Sequence, residues 1–148
     1  MKKENKKPKV VLSKLWAWIV IVILLAFDFF IDYKGGGIGH PIWQPVMNFF
    51  GTNTIYYLTP LILLAFYLAV KIGAFLEEKI SKTPQAEQLI LTIVVIIYIL
   101  YDIWLFSVNY LGFKLINASN HYSLIPIFIV IGVVYGWWAE KKLKNKKS

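Results

Sequence analysis

The chain is 148 residues long, the length of one domain, but 58% of its residues are hydrophobic and its mean hydropathy is +0.60, which excludes an ordinary soluble domain. Its net charge of +8 comes from lysine, because arginine is absent, and without the guanidinium fork we expect no nucleic-acid partner. The absence of cysteine excludes disulfide exchange, thiolate nucleophiles and cysteine-based metal sites.

Four apolar stretches dominate the sequence. A hydrocarbon core about 30 Å thick needs about 20 helical residues to cross it. Three stretches reach that length, and the last is shorter, so it must stand nearly upright or thin the bilayer. The sequence therefore predicts an all-α integral membrane protein, a four-helix transmembrane bundle that forms a single domain over 1–148. Its helices are expected at about 15–33, 54–76, 89–111 and 124–139, between basic tails at 1–14 and 140–148.

The distribution of lysine predicts the orientation of this bundle. If both termini are cytoplasmic, 14 lysines lie on the inner side, against only Lys34 and Lys114 outside. Cytoplasmic loops carry the excess of basic residues in membrane proteins. We therefore expect a multi-pass cell-membrane protein with an N-in/C-in topology, whose basic tails contact anionic lipid headgroups.

The first helix is expected to begin near residues 11–13 and to end where Lys34 meets three glycines. Glycine just past a helix is a common C-terminal signal, because it adopts the left-handed conformation without steric cost. The loop that follows carries Trp43, Phe49 and Phe50 among other apolar residues. It is therefore expected to be a partly ordered first extracytoplasmic loop with a short helix at the membrane surface.

The later helices carry recognisable end signals. Thr83 followed by Pro84 predicts an N-cap and a proline at the first position of helix three. Helix three is expected to end between Tyr110 and Gly112, and Ser123 is expected to cap helix four.

Asp28 is the most informative residue of the first helix. A charged carboxylate inside a bilayer costs about 2.5–3.5 kcal/mol on insertion scales, so Asp28 must be neutral, solvated or paired. Asp32 follows four residues later on the same helix face. It lies near enough to the outer interface for simple solvation to explain it.

A second acid lies at a matching depth in the third helix. Asp28 is 13 residues beyond Leu15, and Asp102 is 13 residues beyond Leu89. Asp102 and Asn109 belong to one stripe of helix three. If helices one and three face each other, Asp28 and Asp102 meet in the outward half of the bundle, and Asn109 lies nearer the outside.

The only histidines, His40 and His121, both belong to outer loops and are candidate outer-face ligands. A histidine in such a loop is more often a solvated residue than a ligand. The sequence predicts no resident metal site, and it identifies neither a catalytic residue nor a cofactor.

These residues favour a small transporter or transport-associated subunit with an outward-facing acidic site. Two carboxylates sharing a site cannot both ionise easily, so the pair can hold and release a proton or a cation. One alternative is an outward-facing intramembrane enzyme acting on lipid or peptide, with the acids as general acid and base. Another is a non-catalytic assembly or anchoring subunit, in which a protonated aspartate only joins helices. Helices that are apolar nearly all round must be covered by lipid or protein, so a homo-oligomer or a larger membrane complex is also open.

Overall fold

The computed structural model describes residues 10–34, 48–51, 54–112 and 121–145, and nearly all of these residues are helical. No strand occurs within those ranges. A short helical stretch covers 48–50, and the rest of the first long loop lies outside the described residues. The main helices are α1 (Lys14–Lys34), α2 (Thr54–Ser81), α3 (Ala86–Leu111) and α4 (Ile125–Lys144), the last preceded by a 3₁₀ turn over His121–Leu124.

One helical stretch of the described chain, Ala86–Val108, is long and apolar enough to cross a membrane, with a mean hydropathy of 2.5. This span is consistent with association with a membrane. The four crossings and the N-in/C-in orientation expected from the sequence remain predictions.

The two ends of α3 follow different rules. Its C-terminus falls within the predicted range of 110–112, where Gly112 adopts a left-handed backbone with φ of 65° and its N–H donates to the Ser107 carbonyl. At its N-terminus, the prediction of a Thr83 cap is wrong. The residue before the helix is Gln85, which is left-handed and makes no side-chain cap hydrogen bond. The buried Thr83 hydroxyl instead donates to Glu77 Oε1 at 2.8 Å, an acceptor at the end of α2.

The predicted Ser123 cap of the last helix is also wrong. Ser123 lies inside the 3₁₀ turn, and Leu124 occupies the cap position without a side-chain hydrogen bond. Pro126 in the first turn of α4 has no N–H to satisfy there, which removes part of the need for a cap.

Helix α3 is the centre of the fold, and α1, α2 and α4 each pack along it. Helix α1 runs parallel to α3, since Lys14 meets Glu87 near the start of both helices and Asp28 meets Tyr98 further along. Helices α2 and α4 run antiparallel to α3. The central position agrees with the sequence of α3, which is apolar on nearly every face.

Glycines allow α4 to approach α3 closely. A Cβ atom at Gly132 would lie 3.3 Å from side-chain carbons of both Ile93 and Ile97, and one at Gly136 would lie 3.3 Å from Ile93. Such distances are tighter than ordinary van der Waals contact. Small residues spaced four apart are typical of helices that pack backbone to backbone.

The segment before α1 is held against α3 and α4. The Tyr135 hydroxyl donates to the Val10 carbonyl at 2.6 Å, and the Leu12 N–H donates to Thr92 Oγ1 at 3.0 Å. Val10 and Val11 also pack against an apolar cluster of α3 and α4. The two ends of the described chain therefore lie at the same end of the bundle.

Three helices are joined at this end by Glu87. Its carboxylate pairs with Lys14 Nζ of α1 at 2.5 Å and with Lys71 Nζ of α2 at 2.8 Å, and the Glu87 side chain is only 17% exposed. The two lysines remain more open to solvent, which screens both interactions. The network therefore positions the helices more than it stabilises them.

We expect Glu87→Gln to lower the free energy of unfolding by no more than about 1 kcal/mol, because both lysine partners are partly solvated. Thermal unfolding of the purified protein measures the change. The matched control is Glu140→Gln, which removes an i,i+4 ion pair with Lys144 on one helix and should have a smaller effect. Equal losses in the two variants would show that the three-helix network adds no stability of its own.

Candidate functional site

The fold brings Asp28 of α1 and Asp102 of α3 together in its interior. The two residues are 2% and 4% exposed. They meet because α1 and α3 are parallel and because the two acids lie at matching distances along their helices. Helices one and three thus face each other at these two acids, an arrangement that the sequence left open.

A hydrogen bond joins one of the two acids, Asp28, to a tyrosine. The Tyr98 hydroxyl donates to Asp28 Oδ2 at 2.6 Å. The carboxyl groups of Asp28 and Asp102 are within hydrogen-bonding reach of each other. An ionised carboxylate can only accept a hydrogen bond, so a bond between two carboxyl groups requires a proton on one of them. Within the described part of the chain, no other N–H or O–H donor reaches either oxygen of Asp102.

Aromatic rings from three helices surround this group. The Phe66 ring of α2 meets the Tyr98 ring edge to face, with centroids 6.4 Å apart. The Tyr101 ring stacks on Tyr98 at 6.3 Å and contacts Phe128 of α4 at the same centroid distance. An apolar enclosure of this kind makes an uncompensated charge expensive. We therefore expect the acids to gain or lose a proton only when the helices around them also rearrange.

The side chains of the other candidate residues from the sequence lie outside the part of the chain that the structure describes. Asp32 lies in α1 and Asn109 in α3 by backbone position, and His121 begins the 3₁₀ turn, but their side chains lie outside what the structure describes. His40 lies outside the described residues altogether. Their predicted roles as polar-site residues or outer-face ligands stay predictions.

Tyr98 is the member of the site that the sequence analysis missed. It precedes Asp102 by four residues, so both side chains lie on one face of α3. That spacing was a usable signal, because a hydroxyl one turn from a buried acid is a natural hydrogen-bond donor. However, a tyrosine in an apolar helix can be buried for its ring alone. Only the position of α1 shows that the Tyr98 hydroxyl has a partner there.

The chemistry available to the group is the binding of a proton or a small cation. Carboxyl and phenol oxygens are hard ligands, which suit protons and alkali or alkaline-earth ions. Among the described residues, no group of three or more His, Asp or Glu side chains could hold a metal ion.

Comparison of the chain with protein-family models, with curated proteins and with solved structures finds no match. The functional interpretation therefore depends on the chemistry of the Asp28, Asp102 and Tyr98 side chains.

Proposed function

We propose that the chain is a four-helix membrane protein with both termini in the cytoplasm, and that it is a transporter or a transport-associated subunit. In this proposal Asp28 and Asp102 together carry a proton or a monovalent cation. The observation that carries it is the buried pair of acids, contributed by two different helices inside an aromatic enclosure, with Asp28 accepting a hydrogen bond from Tyr98.

The distribution of apolar side chains supports the membrane part of the proposal. In the described residues, 29 large hydrophobic side chains are exposed, whereas 12 hydrophobic side chains are buried. Soluble monomers rarely expose continuous apolar surface on this scale. Even in the most apolar helix, α3, only 33% of the membrane-length span is buried. Lipid accounts for this exposed surface without further assumptions.

The arrangement of basic and aromatic residues supports the orientation. The start of α1 and the ends of α2 and α4 meet at one end of the bundle, and the described lysines near these ends include Lys14, Lys79 and Lys142. Exposed tryptophans, among them Trp16 and Trp137, lie within about two turns of the start of α1 and the end of α4. Basic residues outside a ring of interfacial aromatics are typical of the cytoplasmic side of a membrane protein.

The position and burial of the acid pair support a transport cycle. Asp28 and Asp102 both lie past the midpoint of their helices, away from the lysine-rich end, which suits access from the outer side. Both are sealed in the present conformation, so exchange of a proton or cation requires a second conformation in which the helices around them open. Coupling of ion binding to such opening is the basis of carrier-type transport.

The direct test is ion movement in vesicles that contain the purified protein. A pH-sensitive dye inside the vesicles reports proton flux after a proton or monovalent-cation gradient is imposed. Asp28→Asn and Asp102→Asn should each reduce the protein-dependent flux to the level of empty vesicles. Glu140→Gln, which removes a carboxylate from an ion pair at the end of α4, should retain the wild-type flux. Unchanged flux in both aspartate variants, with normal insertion, would overturn the proposal.

One observation favours a second candidate, a non-catalytic assembly or anchoring subunit. The two acids face each other across α1 and α3, and a pair of this kind that holds one proton can serve only to join helices. In that case both asparagine substitutions would be tolerated and a partner protein would co-purify with the chain. The enzyme alternative is less well supported, because the acids are closed to a substrate in this conformation.

A further inference from the structure

We propose that the single proton shared by the acid pair resides on Asp102, that Asp28 carries the negative charge, and that Tyr98 is the positioning residue that makes this choice. The inference deepens the proposed transport site, and its role in transport rests on that proposed function. The location of the proton can nevertheless be measured without transport.

The contacts of Asp28 favour the ionised form. Asp28 Oδ2 accepts the Tyr98 hydroxyl at 2.6 Å, and a hydrogen bond from a neutral donor to a carboxylate is stronger than one to a carboxylic acid. The rings of Phe66 and Tyr101 hold the Tyr98 ring from two sides, so the direction of its hydroxyl is constrained. Tyr98 therefore stabilises negative charge specifically on Asp28.

The contacts of Asp102 favour the protonated form. Within the described chain, neither oxygen of Asp102 accepts a hydrogen bond. An ionised Asp102 would thus leave buried acceptor oxygens unsatisfied, whereas a protonated Asp102 donates to Asp28. Among the described residues, the titratable groups beside the pair include Tyr98, which donates to Asp28, and Tyr101, which stacks on Tyr98, while α2 and α4 contribute the rings of Phe66 and Phe128 to the aromatic enclosure.

Under this assignment the two acids have different roles. With one proton, the pair has a net charge of −1 in apolar surroundings, which favours binding of one further proton or one monovalent cation. The incoming charge binds at Asp28, where a proton would form a new O–H bond and leave the O–H bond of Asp102 intact. Asp28 is then the exchanging acid, and Asp102 keeps its proton throughout.

Infrared spectroscopy of the purified protein at neutral pH tests the assignment through the C=O band of a protonated carboxylic acid, identified by its shift in heavy water. The wild type and Asp28→Asn should show the band, since the amide introduced by Asp28→Asn would still offer Asp102 an acceptor oxygen. Asp102→Asn should lack it, because the remaining Asp28 accepts from Tyr98 and from the new amide. Any other pattern in these three proteins overturns the assignment.

Tyr98→Phe provides a test that keeps both acids in place. Without the phenol donor the proton is no longer confined to Asp102, so the band should shift and broaden. Tyr67→Phe, on the exposed side of α2, should leave it unchanged. A wild-type band in Tyr98→Phe would show that Tyr98 does not position the proton. If the infrared bands are as expected but the protein gives no vesicle flux, the proton assignment stands and the transport proposal fails. If the protein gives flux but the bands differ from those expected, the transport proposal stands and the proton assignment fails.

Discussion

Replacing Asp28 by leucine should destabilise the protein by about 1–3 kcal/mol, and adding Asp102→Leu should recover part of that loss. The single substitution leaves the buried Tyr98 hydroxyl without its acceptor on Asp28, and it leaves Asp102 without the acid that shares its proton. In the double variant the second of these unsatisfied groups is gone. Residues of one hydrogen-bond network are therefore expected to show non-additive losses.

A double-mutant cycle measures this coupling. Unfolding of the wild type, the two single variants and the double variant is followed by circular dichroism as a denaturing detergent is added. The combined loss should be smaller than the sum of the single losses. Strict additivity would mean that the two acids do not interact in the folded protein, which would remove the basis of both the transport and the proton proposals.

Gly132→Leu should reduce the free energy of unfolding by about 1–3 kcal/mol, the range measured when extra atoms are forced into a packed interior. The first added carbon would already lie 3.3 Å from Ile93 and Ile97, and the rest of the side chain would have to displace one of them. Helix α4 would move away from α3. That movement would loosen the contact between Phe128 and Tyr101 in the aromatic enclosure.

The neighbouring position provides the control for this effect. Val133 is 65% exposed, so Val133→Leu adds a similar side chain to the outer face of α4 and should change stability little. Gly73→Ala gives a second comparison, because its Cβ would lie 3.7 Å from Ile90, an ordinary contact, and alanine favours the helix. If Gly132→Leu were as stable as Val133→Leu, close packing of α4 on α3 would not be required.

The helices were predictable because the information that specifies them is local. Long apolar stretches identified the four main helices, and the apolar stretch of α3 placed its end at 110–112, where Gly112 adopts the left-handed conformation that glycine enters freely. The two cap predictions failed for a physical reason. Thr83 has the right chemistry for a cap, but its hydroxyl finds Glu77 across the turn, a partner that depends on how α2 ends.

The candidate site was predictable in part. The matched depths of Asp28 and Asp102 followed from counting residues along helices of the same direction. The contact of Tyr98 with Asp28 did not follow, since it depends on the rotation of α1 about its axis. A rotation of one residue, about 100°, would turn Asp28 away from α3 without changing the hydrophobicity of either helix.

The sequence by itself determined that the chain is helical and strongly apolar, where its main helices lie, that its lysines flank the apolar stretches, and that two acids lie at matching positions along their helices. These properties depend on composition and on spacing along single helices, whose backbone hydrogen bonds are internal. Only the tertiary structure decided that α3 is the central helix, that Gly132 and Gly136 bring α4 against it, and that Tyr98 and Asp102 both reach Asp28. Those features depend on which faces of the helices meet. Because the helices are apolar on nearly every side, hydrophobicity alone does not select these faces, and side-chain packing between the helices does.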